Sequence, residues 1–527
     1  MKVINAKNLI NKNRLDLVVK YLYAKEFLES KNNAYSTGVY KDLYIRHILM
    51  RTMGIEPVDS YRNEISEKNN IDNYVDSFHN LIMSIKEQGY NVNYPIPLSS
   101  DGLLENGAHR VAVASLFDMD IPIENVKQGW SWDFDWFNDN GFNVEDKQRI
   151  LKGFTDIHSD KCAIFVVWNP LFKYVDNVKN VLSNYFEIVG DVDLDFEDNY
   201  IAFTNALLEI YEPNISKNND ETVIREKAKL LQASYLSFKV IVVTNQNKNA
   251  NKSISELSKI CKKDIRDLFN HLLPKECFCT VHSSDDEAEC RYLASILLSP
   301  NNIKHLKMRL TTESGHNFVR RIRNLPSFLK TIEIFDPNDI CVIGSGVMTA
   351  LGVQKDSDSD FIIDYKYRDK FGWNTVFLND DYDIGMSDKI AQRPKNIQDN
   401  ILIHNDEYHF WFKGIKFANL EIIKDRKILS SRPKDLVHLR QIELFEKMQG
   451  HLEQQKILLE RIEAEKQRRV QQQAIQIQAN SKLKYSNLLE RIFSIKNEIS
   501  NSQKYKVLTV VGIKIKFKRR YKCTVNI

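Results

Sequence analysis

Asp358 and Asp360 sit two residues apart in Ser357-Asp358-Ser359-Asp360-Phe361-Ile362-Ile363, twelve residues (346–357) beyond the pair Gly344-Ser345. On an extended chain alternate side chains face the same way, so the spacing predicts two carboxylates projecting together. Neighbouring carboxylates repel and raise each other's pKa. They suit a site in which a divalent cation lies between them, and magnesium or manganese takes such oxygens together with substrate phosphates. Just upstream, Cys341-Val342-Ile343 reads as a short apolar strand and Val347 to Leu351 as a small-residue helix. The Gly344-Ser345 turn between them offers backbone N–H groups to a phosphate.

Ile343-Gly344-Ser345 followed by Asp358-Ser359-Asp360-Phe361 resembles the nucleotidyltransferase superfamily of the polymerase-beta type. The resemblance implies a Mg2+- or Mn2+-dependent enzyme with a nucleoside triphosphate as substrate. It implies catalytic, metal-holding roles for Asp358 and Asp360 and phosphate binding at Gly344 and Ser345. It also implies a third acid on a later strand. Glu421 is the candidate, in the apolar run Gly414-Ile415-Lys416-Phe417-Ala418-Asn419-Leu420-Glu421-Ile422-Ile423. Lys434, with Lys424, Arg426, Arg432 and Asp435 around it, falls where comparable enzymes meet a triphosphate with cations.

The elements that position these residues belong to an α/β multidomain chain. At 527 residues, 43% of them hydrophobic, several domains can each bury a core. The pattern divides into 1–155, 156–315, a nucleotidyltransferase-like 316–440, a polar helical segment 441–503 and a basic tail 504–527. A formal charge of +4 points to no particular partner, and no dense Lys/Arg stripe with interleaved aromatics argues for nucleic acid. Seven scattered cysteines without a CxxC pair suit reduced thiols, hence a cytoplasmic setting. Cys277 and Cys279 near His282 lack a second ligand pair for zinc. The first residues carry no apolar signal segment, and no stretch approaches the ~20 apolar residues of a membrane span.

Residues 1–155 open with helical patterns (Leu15 to Lys31, Tyr40 to Met53). A strand Tyr94 to Leu98, a Ser-Ser-Asp-Gly turn, a helix Val111 to Phe117 and a strand from Asp120 follow. Leu103-Leu104-Glu105-Asn106-Gly107-Ala108-His109-Arg110 resembles the His-Arg turn of the ParB/sulfiredoxin fold. That likeness implies phosphate binding by His109 and Arg110 and a kinase-like use of nucleotide. Ala108 stands where sulfiredoxins carry their reactive Cys, which removes sulfinic-acid reduction.

The next segment alternates strands (Ala163 to Trp168, Glu187 to Phe196, Phe238 to Val243) with helices, as a ferredoxin-like α/β domain. Cys279-Thr280-Val281-His282-Ser283-Ser284-Asp285 looks like the phosphohistidine strand of nucleoside diphosphate kinase, which implies a phosphoryl-acceptor role for His282.

In 441–503, Leu452, Leu459, Ile462, Val470, Ile477, Leu488, Ile492, Ile495 and Ile499 recur near helical spacing. The pattern predicts a self-association helix or helical hairpin, hence a homodimer. Ile513 to Lys518 alternates apolar and lysine side chains, a pattern suited to a guarded edge strand or to peripheral contact with anionic lipid. Gly512-Ile513-Lys514-Ile515-Lys516 resembles the closing segment of bacterial capsule and lipopolysaccharide biosynthesis enzymes. That likeness implies a sugar, polyol or phosphate-ester acceptor. The alternative to an enzyme is a non-catalytic nucleotide- or DNA-binding regulatory scaffold.

Overall fold

The structure, a computed structural model, describes residues 2–31, 37–51, 70–218, 221–231, 235–272, 280–313, 315–389, 397–451, 466–468, 471, 493–500, 503–510 and 513–518. Two compact units emerge, Met1–Glu443 and Leu444–Ile527. Within the first, the described elements form three sheets joined by helices.

The first sheet has β1 (Lys2–Asn5), β2 (Ile96–Ser99) and β3 (Asp120–Val126) in the order β1-β3-β2. β2 runs parallel to β3, and the helix Ala108–Leu116 connects them. This is the strand–turn–helix–strand order expected from the sequence, and the helix Leu15–Lys31 also lies where its pattern put it.

The second sheet contains β4 (Cys162–Trp168), β5 (Glu187–Asp195), β6 (Ser237–Thr244) and β7 (Val281–Ser283), antiparallel throughout in the order β5-β6-β4-β7. The unbroken apolar sequence of β4 has a direct cause: both of its faces are buried. Ala163, Phe165 and Val167 pack with the helices Val175–Tyr185 and Ile254–Phe269. Cys162, Ile164, Val166 and Trp168 face a different core, shared with Val18, Leu22, Phe137, Ile150 and Phe154. A bulge at Ile188/Gly190 seats the Phe134 ring, because a Cβ on Gly190 would lie 2.4 Å from it. One hydrophobic core therefore runs across the expected boundary at 155/156. The two segments fold together because neither covers its apolar face alone.

The third sheet runs β10-β11-β9-β8-β13-β12. Its strands are β8 (Ile340–Val342), β9 (Phe361–Ile363), β10 (Val376–Phe377), β11 (Asp383–Ile384), β12 (His409–Phe412) and β13 (Ile415–Ala418). Arg309 fixes it to the preceding helices. The buried guanidinium donates to Glu209 Oε1 at 2.9 Å and to the Trp411 carbonyl, while the Lys413 N–H meets the same Glu209 oxygen at 3.1 Å.

In the second unit, β14 (Phe493–Ser500), β15 (Gln503–Val510) and β16 (Ile513–Lys518) form an antiparallel meander. This corrects the helical reading of 441–503 at its end: Ile495 and Ile499 lie on a strand paired with 503–510. Cross-strand pairs such as Ile495 with Leu508 and Leu508 with Ile515 satisfy a period of two, which a run read only for period 3.6 conceals. The alternation across Ile513 to Lys518 is strand, as its pattern says. Leu452, Leu459, Ile462, Val470, Ile477, Leu488 and Ile492, which carry the dimerisation expectation, lie outside the described residues. Among the described residues no helix is long and apolar enough to cross a membrane.

Candidate active site

β8 delivers the chain to Gly344, whose φ of 74° lies in the left-handed region open to glycine. A Cβ there would also sit 3.0 Å from Asp360 Oδ2, close enough that the carboxylate would have to give way. Ser345 opens the short helix Ser345–Ala350, and its Oγ donates to Asp358 Oδ1 at 2.9 Å. β8 and β9 pair antiparallel, and the Ile343 N–H donates to the Asp360 carbonyl at 2.8 Å. The Gly-Ser turn and the two aspartates thus share one end of the sheet, as the spacing predicts.

The third acid at this end is Asp383. β11 pairs parallel to β9 with Ile384 opposite Phe361, so Asp383 stands beside Asp360. The connection is stapled by Arg321, which donates to the Ser357 carbonyl at 2.5 Å and to Asp356 and lies 3.6 Å from Asp381 Oδ1. The Tyr382 hydroxyl donates back to the Arg321 carbonyl at 2.7 Å, and the Ser359 N–H reaches the Asp381 carbonyl at 3.1 Å. Asp383 Oδ1 is buried and has no hydrogen-bond partner. Burial, then the charges of Asp358 and Asp383, push the Asp360 carboxyl up from 3.8 to about 6, against the pull of Lys434 and Arg426.

Glu421 does not join these acids. β13 ends at Ala418, and Leu420, Ile423 and Lys427 bury one side of the helix Leu420–Ser430. The apolar run read as one strand changes period at Asn419. Glu421 lies in the first turn, 64% exposed, 3.2 Å from Lys304. It lines a polar cavity of about 300 Å³ with Arg149, Asn301, Glu407 and Tyr408.

Of the cations expected downstream, Lys424 and Arg426 lie on that helix, and Arg432 and Lys434 follow the turn that ends it. Ser431 adopts a positive φ of 45°, and the chain re-enters helix at 433. Asp435, fully buried, accepts from Ser430 Oγ at 2.6 Å and Arg432 Nε at 2.7 Å, and lies 3.5 Å from Lys427 Nζ. Burial opposes its charge, yet the bonds from Arg432 and Ser430 hold the carboxyl well below the usual range. Lys434 is exposed, and with Arg426 it is close enough to act on Asp360.

The other candidate residues lie elsewhere in the first unit. His109 Nε2 meets the Tyr44 hydroxyl at 2.9 Å and its ring sits edge-on to Phe78. Arg110 donates to the Tyr94 carbonyl at 2.7 Å. Both side chains are engaged in tying their turn to the surrounding helices and strands. Tyr44→Phe is expected to lower stability by about 1 kcal/mol, read as a lower melting temperature. An unshifted melting temperature with weakened binding of inorganic phosphate would restore a ligand role. His282 is buried on β7, under the Tyr211 ring and 3.3 Å from Glu289 Oε1, and burial lowers its pKa. A phosphoryl acceptor needs an open ring nitrogen, so this placement counts against that role. Cys277 and Cys279 fall outside the described residues.

Among the described residues, one set of three His, Cys, Asp or Glu ligand atoms lies within 4.8 Å of one another: Asp339, Asp364 and His404, at the opposite end of the β8–β9 pair. Its members are already matched, Asp364 to His404 at 2.6 Å and Asp339 to Lys366 at 2.6 Å and the Tyr367 hydroxyl at 2.8 Å. Asp358, Asp360 and Asp383 do not all bring a carboxylate oxygen within that distance of one another.

Compared with protein-family models, with curated proteins and with solved structures, the chain matches none.

Proposed function

We propose that the chain is a divalent-metal-dependent nucleotidyl- or phosphotransferase whose site is built by Gly344, Ser345, Asp358, Asp360 and Asp383. The observation that carries this reading is Asp360, half-buried between two further aspartates and pushed up to about 6, beside a Gly-Ser turn whose Gly344 takes a positive φ. Stability alone gives no reason to gather three carboxylates there.

The donor type suits a hard cation, and because the three carboxylates do not all bring an oxygen within 4.8 Å of the others, binding would have to draw them together. The set is all oxygen, and Asp383 Oδ1 lacks any partner. Asp358, Asp360 and Asp383 would hold Mg2+ or Mn2+, which when bound supplies charge neutralisation at the phosphates and activation of the attacking oxygen. The chain's own part is positioning. Backbone at Gly344 approaches the phosphates closely, Ser345 exchanges its bond to Asp358 for one to phosphate, and Arg426, Arg432 and Lys434 balance the polyphosphate charge. The ferredoxin-like order of the second sheet makes it a covered scaffold in this reading. The likeness of the tail to surface-glycan enzymes supports a sugar, polyol or phosphate-ester acceptor.

The test is product analysis of the full chain with each nucleoside triphosphate, Mg2+ and a panel of sugars and polyols. Pyrophosphate release assigns nucleotidyl transfer and nucleoside diphosphate assigns phosphoryl transfer. Metal affinity and turnover should both fall as pH drops through about 6, where Asp360 takes up its proton. Nucleotide or DNA binding with no turnover under any condition would favour the regulatory scaffold instead.

A further inference from the structure

Ile428, Leu429, Leu436 and Val437 flank the turn between the helix Leu420–Ser430 and the helix that begins at 433, and all four face water. Ile428 is 51% exposed and the other three 58% each. The core contacts of this segment come from other residues, Leu420 and Ile423 before the turn and Ile442 after it, so the four lie outside the core. A single exposed leucine is ordinary. Four large apolar side chains within ten residues are not, and such a patch marks a contact surface. The turn is held in shape from inside. Buried Asp435 accepts from Ser430 Oγ at 2.6 Å and from Arg432 Nε at 2.7 Å, and the Leu436 N–H donates to the Arg432 carbonyl at 3.2 Å. Both apolar pairs therefore stand within a few residues of one fixed point.

The charges among these residues say what would cover them. From Ile428 to Arg440 the cations Arg432, Lys434 and Arg440 are exposed, and Asp435, the one acid in that stretch, is fully buried. Exposed apolar groups interspersed with cations, and with no exposed acid among them, complement a surface that is anionic outside and apolar just beneath. A bilayer of anionic lipid has that structure. A nucleic acid or a free polyphosphate would use the cations and leave the four apolar side chains in water. We propose that residues 428–437 dock on an anionic lipid bilayer, the four apolar side chains entering the headgroup layer while Arg432, Lys434 and Arg440 meet lipid phosphates. The helix Leu420–Ser430 also packs against Ser345–Ala350, the helix that follows the Gly-Ser turn, so docking brings that end of the third sheet towards the membrane. Docking stands apart from the transfer reading, because the variants that test it leave Gly344, Ser345 and the acids untouched.

The experiment is co-sedimentation of the full chain with vesicles of phosphatidylglycerol and phosphatidylcholine, with pure phosphatidylcholine vesicles as the reference. Wild type should bind the anionic vesicles, release them as salt rises towards about 0.5 M, and bind the neutral vesicles far less. Leu429→Ser/Leu436→Ser, which keeps every cation, should bind at least about tenfold more weakly at an unchanged melting temperature. Leu436→Trp should bind more tightly, because an indole favours the membrane interface. If the double variant melts early, unchanged binding by Leu436→Trp overturns the proposal in its place. Lys514→Gln/Lys516→Gln/Lys518→Gln, which neutralises the tail, should keep most of the binding. Wild type that ignores anionic vesicles, a double variant that binds them as wild type does, or binding abolished by the tail variant overturns the docking site. A wild-type dimer that the double variant dissociates, with no vesicle binding, overturns it too and gives the patch to a second copy of the chain.

Discussion

Asp360→Asn is expected to remove metal-dependent transfer, by about a thousandfold or more, while making the protein harder to unfold at neutral pH. The two effects have one origin. In the folded state the Asp360 carboxyl holds its proton up to about 6, against 3.8 for an ordinary aspartate, because burial and two neighbouring acids disfavour its charge. The folded chain therefore binds this proton more tightly than the unfolded chain. That contribution is complete below about 3.8 and is lost as pH rises through 6, so above 6 the ionised group is a liability. Asparagine carries no charge and escapes it. At 1.36 kcal/mol per pKa unit the gain is bounded at roughly 3 kcal/mol, present at pH 7.5 and gone near pH 4. Thermal unfolding of both proteins at these two pH values checks it. A variant that melts no higher at pH 7.5 would mean that the three acids do not strain one another.

Asp383→Asn should lower turnover at least about a hundredfold, and Glu421→Gln should leave it within about twofold. The contrast follows from placement. Asp383 is carried next to Asp360 by the β9–β11 pairing and holds a buried oxygen without a partner. Glu421 rides on an exposed helical turn against Lys304, a pairing of the kind worth little to the fold. Rates of product formation for the two variants, at saturating nucleotide and metal, decide between them. Inactive Glu421→Gln with active Asp383→Asn would reverse the assignment and break the proposed site.

Part of this site is legible in the chain because its spacing is local. Gly344-Ser345 and Asp358-Ser359-Asp360 are joined by one helix and one loop, and the β8–β9 hairpin-like pairing returns them to the same sheet end. Glu421 misled because Gly414 to Ile423 is dense in apolar residues, with only Lys416, Asn419 and Glu421 interrupting it. A short strand and the first turn of a helix look alike when the polar residues are too few to mark the period. Asp383 was hidden for the opposite reason. Its strand is two residues long, in Tyr382-Asp383-Ile384-Gly385, too short to show alternation. Only its acid followed by an apolar residue and a glycine hints at the role.

The same contrast separates the domains. Strand β4 is readable from an unbroken apolar run and β6 from Val240 to Val243, yet those runs say only that both faces are covered, not by what. The bulge at Gly190 that admits Phe134, and the core shared by Cys162, Trp168, Val18 and Phe154, join segments more than a hundred residues apart in places. From the amino acids by themselves come an α/β chain, the Gly-Ser turn, the paired aspartates and the strand of the lysine-rich tail, because each rests on contacts between near neighbours. Tertiary structure decided that Asp383 rather than Glu421 stands beside Asp360 and that the first two segments share one core. Those outcomes depend on which elements pack together, and packing is chosen by burial summed over the whole fold rather than by any short stretch of it.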